Sequence, residues 1–184
     1  MRPWVLALVL LAAGTAPAQA AFDVAHLMRL LAESPSAQVP YVERKYSELL
    51  TGPVESSGTL VYRRPDIVEK NVTAPRPESY RIAGQELSVT RGGKERRIAL
   101  ASEPLLAAFA ASLRGVLSGD AALLAHHYRL ALAGTESDWK LEMTPLEDEV
   151  LRYVERIVVT GRAGRVAQIE VREASGDRSV LQVR

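Results

Sequence analysis

The chain has 184 residues, 47% hydrophobic but only 5% aromatic, with 23 basic and 22 acidic side chains and a formal charge of +1. This is enough apolar material for one domain with an aliphatic core, and the charge balance gives no whole-molecule attraction to nucleic acid or anionic lipid. There is no cysteine, which excludes disulfides, thiolate metal sites and thiol nucleophiles together.

Residues Met1 to Ala20 have the pattern of an export segment. Arg2 precedes an apolar run from Trp4 to Ala13, and Ala18-Gln19-Ala20 gives a small-x-small ending. The run is too short to span a bilayer. The expectation is a signal peptide over 1–20 and a single soluble exported domain over 21–184.

From Phe22 to Glu33 the apolar positions Val24, Leu27, Met28 and Leu31 recur at helical spacing, with Asp23 as an N-cap candidate. Pro35 and Pro40 prevent the helix from continuing. The period then changes to two. Strands are expected at Tyr41 to Leu50, Gly58 to Arg64, Ile67 to Val72, Glu78 to Ala83, Glu86 to Arg91 and Lys94 to Ala99, joined by short Gly-rich turns that favour antiparallel hairpins. In the second of these, Leu60 and Tyr62 point one way and Val61 and Arg63 the other.

Glu103 to Leu117 interrupts the sheet pattern. Pro104 suits a helix start, Leu105, Leu106, Phe109, Leu113, Val116 and Leu117 give a broad apolar face, and Gly119 suits the stop. Asp120 to Ala125 adds a helical turn or two. Strands resume at His127 to Ala133, Trp139 to Thr144, Glu149 to Val159, Arg165 to Arg172 and Arg178 to Val183. The total is about eleven antiparallel strands and two substantial helices. A sheet of that size does not stay flat, and its curl, with few bulky aromatics to fill it, leaves room for an apolar cavity under the helices.

Catalytic patterns are weak. His126 and His127 are adjacent and diverge on either a strand or a helix, and His26 is a lone histidine on the first helix. No serine stands in a nucleophile-elbow context. Asp66 and Glu69 among Arg63, Arg64 and Lys70 read as alternating charges on a solvated edge. Gly161 to Arg165 lacks the lysine-serine ending and following helix of a phosphate loop and reads as a hairpin turn. Arg91, Lys94, Arg96 and Arg97 form a basic group around a Gly-Gly turn, either a solvated hairpin or a patch that approaches phosphate head groups. No enzyme activity, cofactor or metal is expected.

The motifs GTLVYRRP at Gly58 to Pro65, IAGQELSV with Gly84 and Leu87, WKLEMTP at Trp139 to Pro145, and IVVTGRAGRVAQIEV at Ile157 to Val171 follow one another in the order of a known family. The chain resembles the bacterial periplasmic lipoprotein carriers and their outer-membrane acceptors (LolA/LolB-like) over nearly all of its length after the export segment, as a divergent member. The resemblance implies an unclosed antiparallel β-barrel covered by a helical lid, in the periplasm, with an apolar cavity for acyl chains. It implies that Arg64 is a lid latch, a role that suits a guanidinium with five donors. The side chains expected to line cavity or lid are Leu27, Met28, Leu31, Leu60, Tyr62, Leu87, Phe109 and Leu113.

The function so implied is a monomeric carrier of an acylated lipoprotein or related lipid, loaded by an inner-membrane releasing complex and unloaded by an outer-membrane acceptor, with no nucleic acid partner. Val68 and Lys70 stand where the carriers have bulky aromatics, so a glycolipid is an alternative cargo. An envelope-assembly adaptor with a packed interior is the alternative from another class, and a lipid hydrolase ranks third.

Overall fold

The computed structural model describes residues 22–184, so the export segment expected over 1–20 lies outside the described residues. The first helix, α1, runs over Val24–Glu33, capped by Asp23, whose carboxylate accepts the His26 backbone N–H at 2.8 Å. Six strands follow: β1 Ala37–Tyr46, β2 Val54–Arg63, β3 Ile67–Ala74, β4 Glu78–Ala83, β5 Glu86–Arg91 and β6 Lys94–Ala99. A single 3₁₀ turn, Leu100–Ser102, leads into α2, Pro104–Ser118. Gly119 ends α2 in the left-handed conformation at φ 72°, which a glycine adopts without a Cβ penalty. After α3, Ala121–His127, come β7 Tyr128–Thr135, β8 Asp138–Pro145, the short α4 Asp148–Leu151, β9 Val154–Arg162, β10 Arg165–Glu173 and β11 Arg178–Val183.

The eleven strands form one antiparallel sheet in the order β6-β5-β4-β3-β2-β1-β11-β10-β9-β8-β7. Two meanders therefore meet at the β1–β11 pair, and β6 and β7 remain as free edges. The barrel is unclosed, as expected. Laid flat, eleven strands would be about 50 Å wide, whereas the fifteen residues of α2 reach about 22 Å. Yet α2 packs on both halves. Leu105, Ala108 and Val116 join the core over β7–β10, while Leu106, Ala110, Leu113 and Leu117 join Tyr62, Val68, Ile82 and Leu87 over β2–β5. The right-handed twist of the strands curls the sheet around the helix that carries the chain from one edge to the other.

Several boundaries differ from the sequence reading. The first strand begins at Ala37, not Tyr41, and includes Pro40. Proline is tolerated there because Pro40 sits at the end of the β1–β11 ladder, where its carbonyl accepts the Arg184 N–H at 2.9 Å and no N–H is required of it. The strand expected from Glu149 starts at Val154, because Asp148–Leu151 forms α4 and buries Val150 against the main core.

Register decides which residues share the concave face. Tyr62, Val68, Ile82, Leu87 and Ile98 stand in line across β2–β6, and Leu132, Leu141, Val159, Ile169 and Leu181 stand in line across β7–β11. Both lines face the helices. The convex face carries the charged partners of these strands, such as Arg63, Glu69 and Arg81.

Candidate functional site

On the concave face under α2, apolar surface of both meanders converges. Ser112, Leu113, Val116 and Leu117 of α2 face Met143, Ile157, Val159 and Ile169 of β8–β10 across an open-sided apolar cleft with a free volume of about 10 Å³. That is the lower limit for one water molecule, so α2 fills the space it covers. Leu113 and Leu117 also pack on the β2–β5 core, and the two clusters meet along this helix.

Of the residues singled out from the sequence, Leu27, Met28 and Leu31 of α1 are buried in the core over β7–β10. Tyr62 is buried over β2–β5, with Leu87 and Leu113 packed against it in the same cluster. Leu60 is half-buried, in line with Lys70 and Tyr80 on the uncovered part of the concave face, and belongs to neither cluster. Phe109 precedes Leu113 by one turn on the same helix face, but it is 36% exposed and outside both clusters. The strand residues of the cleft, Met143, Ile157, Val159 and Ile169, were not among those singled out. Their period-two alternation was present in the sequence, but nothing in it says which strands α2 crosses.

Arg64 sits at the end of β2 and reaches the last turn of α1. Its Nε donates to the Ser34 carbonyl at 3.1 Å, and Nη2 donates to Ser34 at 2.7 Å, to Leu31 at 3.3 Å and to the Ala32 carbonyl. These carbonyls lie at the end of the helix and carry the negative end of the helix dipole, and Leu31 also accepts the capping Ser34 N–H at 3.1 Å. The Arg64 backbone N–H donates to Ser36 Oγ at 3.2 Å. Asp66, two residues along, accepts the Gly84 N–H at 3.1 Å. On the other side of the same helix end, Ser34 Oγ donates to the Gly164 carbonyl in the β9–β10 turn. The α1 terminus is thus tied to both meanders.

At the β4–β5 turn, Arg114 of α2 donates to the Gly84 carbonyl, and burial pulls its pKa below the usual arginine range. Tyr128 is buried beneath α2 and donates to the Ala108 carbonyl at 2.7 Å. Burial raises its pKa from 10.0 to about 12, with a nearby Glu147 adding to the shift and Ser112 opposing it. Because the folded pKa exceeds the unfolded one, this contribution is complete below pH 10 and is lost as pH rises toward 12. The loss amounts to about 2 to 3 kcal/mol. Denaturation of Tyr128→Phe followed from pH 8 to 12 should show a shallower alkaline decline than the wild type. An identical decline would assign the loss to other groups.

Nothing in this region forms a reactive constellation. His26 pairs with Glu136 at 3.3 Å and His127 with Glu147 at 3.1 Å, on separate elements. Among the described residues no group of three histidine, aspartate or glutamate side chains could hold a metal ion. No helix among them is long and apolar enough to cross a membrane.

Comparison with known proteins gives one family match. A family model described as outer membrane lipoprotein carrier protein LolA-like matches residues 15–182. No curated protein matches the chain. Among solved structures, the chain is similar to a LolA superfamily protein from Nitrosomonas europaea, at 14% identity and a TM-score of 0.49 over 89% of this chain and 92% of that one. A DUF1329 family protein from Desulfovibrio piger gives 16% identity and a TM-score of 0.49 over 88% and 89%. The lipoprotein LppX of Mycobacterium tuberculosis gives 12% and 0.42 over 88% and 93%. The family match spans nearly the whole chain, and the chain therefore belongs to the LolA-like family of outer membrane lipoprotein carrier proteins, a non-catalytic, periplasmic group of lipid and lipoprotein carriers.

Proposed function

We propose that this protein binds the acyl chains of a lipoprotein, or of a related acylated lipid, beneath α2 and delivers them toward the outer membrane. The observation that carries this reading is the position of α2. It is a crossover helix with apolar residues toward both halves of a curled sheet, lying over a cleft that it fills but does not seal. Displacing it exposes the buried Val116 and the partly buried Leu106, Leu113 and Leu117, at up to about 1.5 to 3 kcal/mol each. An acyl chain that buries about a dozen methylenes recovers about 10 kcal/mol. The two terms are of the same size, so helix and chain compete for one surface and cargo is held without being trapped.

In this reading Arg64 is the latch of the closed form, because its bonds end on α1, which packs on α2 and α3. Loading would be driven by an inner-membrane releasing complex. Unloading would require an outer-membrane acceptor that binds the same chains more favourably, since equal affinity moves no cargo. The carrier would act as a monomer.

The test is native mass spectrometry of protein purified gently from periplasm, with organic extraction of anything bound and displacement of an apolar dye by acylated peptide. A stoichiometric acylated species is expected, and its head group would separate a lipoprotein from a glycolipid. Bare protein that takes up neither dye nor acylated ligand, while forming a stable protein complex, would replace the carrier with an envelope-assembly adaptor.

A further inference from the structure

The concave face of β2–β6 is graded from apolar to charged. The line Tyr62, Val68, Ile82, Leu87 lies under α2. The next line away from the helix is Leu60, Lys70, Tyr80, Val89, Arg96, and the last is Val72, Glu78, Arg91, Lys94. Apart from Leu60, Tyr80 and Val89, an acyl chain on the outer lines would strip water from charged groups. The polar end of an amphiphile belongs there.

The charge in these lines is not balanced. Lys70 pairs with Glu43 at 2.5 Å. Arg91 pairs with Glu78 at 2.8 Å and donates to Tyr80 Oη at 3.1 Å, while the Tyr80 hydroxyl donates to Glu78 at 2.6 Å. The tyrosine bond and Arg91 together hold the Glu78 carboxyl below its ordinary pKa. Lys94 and Arg96 have no carboxylate partner among the described residues. Arg97, their neighbour on the same strand, faces the convex side and pairs with Glu95 at 3.0 Å and Glu86 at 3.9 Å. The basic group around the Gly92-Gly93 turn is thus divided by strand alternation. Its neutralised member points outward, and two uncompensated cations face the concave side at the β6 edge, in line with Val89 and Arg91.

We propose that Lys94 and Arg96 bind the phosphate head group of an acylated, anionic lipid whose chain runs over Val89 and Leu87 to the cleft beneath α2. The guanidinium offers forked donors to phosphate oxygens and the ammonium a compact charge beside them. Chain and head need no long span, since Val89 stands directly opposite Arg96 and Leu87 is two residues along β5. This inference rests on the carrier reading and narrows its cargo class.

The test compares 1-lauroyl lysophosphatidic acid with 1-lauroyl lysophosphatidylcholine, both below their micelle concentrations, as displacers of an apolar dye. The wild type should prefer the anionic lipid about tenfold, the size expected for two exposed charge contacts. The double variant Lys94→Gln/Arg96→Gln should lose that preference while its affinity for the choline lipid is unchanged. Arg96→Gln alone should lose part of it, and Arg97→Gln none. Inorganic phosphate at millimolar concentration should compete weakly and only for the anionic lipid. Equal affinity of the wild type for both lipids would overturn the head-group site and leave the carrier reading standing. Binding of neither lipid would overturn both. A preference that appears only as sedimentation with anionic vesicles, without a soluble one-to-one complex, would assign the cations to a membrane surface instead. Self-association of the double variant with head-group preference intact would make them guards of the β6 edge and would also overturn the proposal.

Discussion

Replacing Arg64 by leucine should leave a folded protein that takes up acylated ligand and transfers it poorly. The side chain makes four hydrogen bonds to the carbonyls of Leu31, Ala32 and Ser34 at the end of α1, and all four vanish in the variant. Charge-assisted bonds of this kind contribute more than neutral ones, but Arg64 is solvent-exposed, so the net shift away from the closed arrangement is about 1 to 2 kcal/mol. That corresponds to about a five- to thirtyfold change in the closed-to-open ratio. Only the closed form loses these bonds, so cargo is retained. The readout is dye and ligand affinity, which should rise, set against the rate of handover to an acceptor, which should fall. Unchanged handover from a folded variant would remove the latch role, and failure to fold would make Arg64 a structural residue. Arg64→Lys separates charge from geometry, because an ammonium cannot reach three carbonyls in the same fork.

The largest loss of stability is expected from Trp139→Ala. The indole is 1% exposed, and its Nε1 donates to the Ala163 carbonyl at 2.8 Å. Its ring lies over Gly161, where a Cβ would come within 2.4 Å of Cζ2. Ala163 has φ 47° and Gly164 sits so close to α1 that a Cβ there would stand 2.4 Å from the Leu30 carbonyl. Trp139 therefore supports the turn on which the end of α1 rests. Truncation removes a large buried ring and leaves a cavity, at about 3 to 5 kcal/mol. Against a typical total of about 5 to 15 kcal/mol, this is a large fraction. The melting temperature should fall by on the order of 10 °C. Trp139→Phe should recover part of it without restoring the hydrogen bond. A melting temperature within a degree or two of the wild type would mean that the turn is held by its contacts with α1 alone.

The local elements are legible in the order of the amino acids. Asp23 caps α1, Pro104 and Gly119 bound α2, and period-two alternation marks each strand, because caps, turn residues and side-chain periodicity act over a few neighbouring positions. The motif order also pointed to the family, and the glycine-led strand that ends in Arg63-Arg64-Pro65 marked Arg64 as the latch candidate. The tertiary structure alone decided which strands share an interior. Met143, Ile157, Val159 and Ile169 look no different in sequence from other apolar strand positions, and they form the cleft only because α2 crosses β8–β10. Likewise Arg96 and Arg97 are adjacent and chemically identical, yet one faces the concave side without a carboxylate and the other is paired on the convex side. Strand alternation is a local property, but which face becomes concave depends on the twist of all eleven strands together, and that belongs to the sheet as a whole.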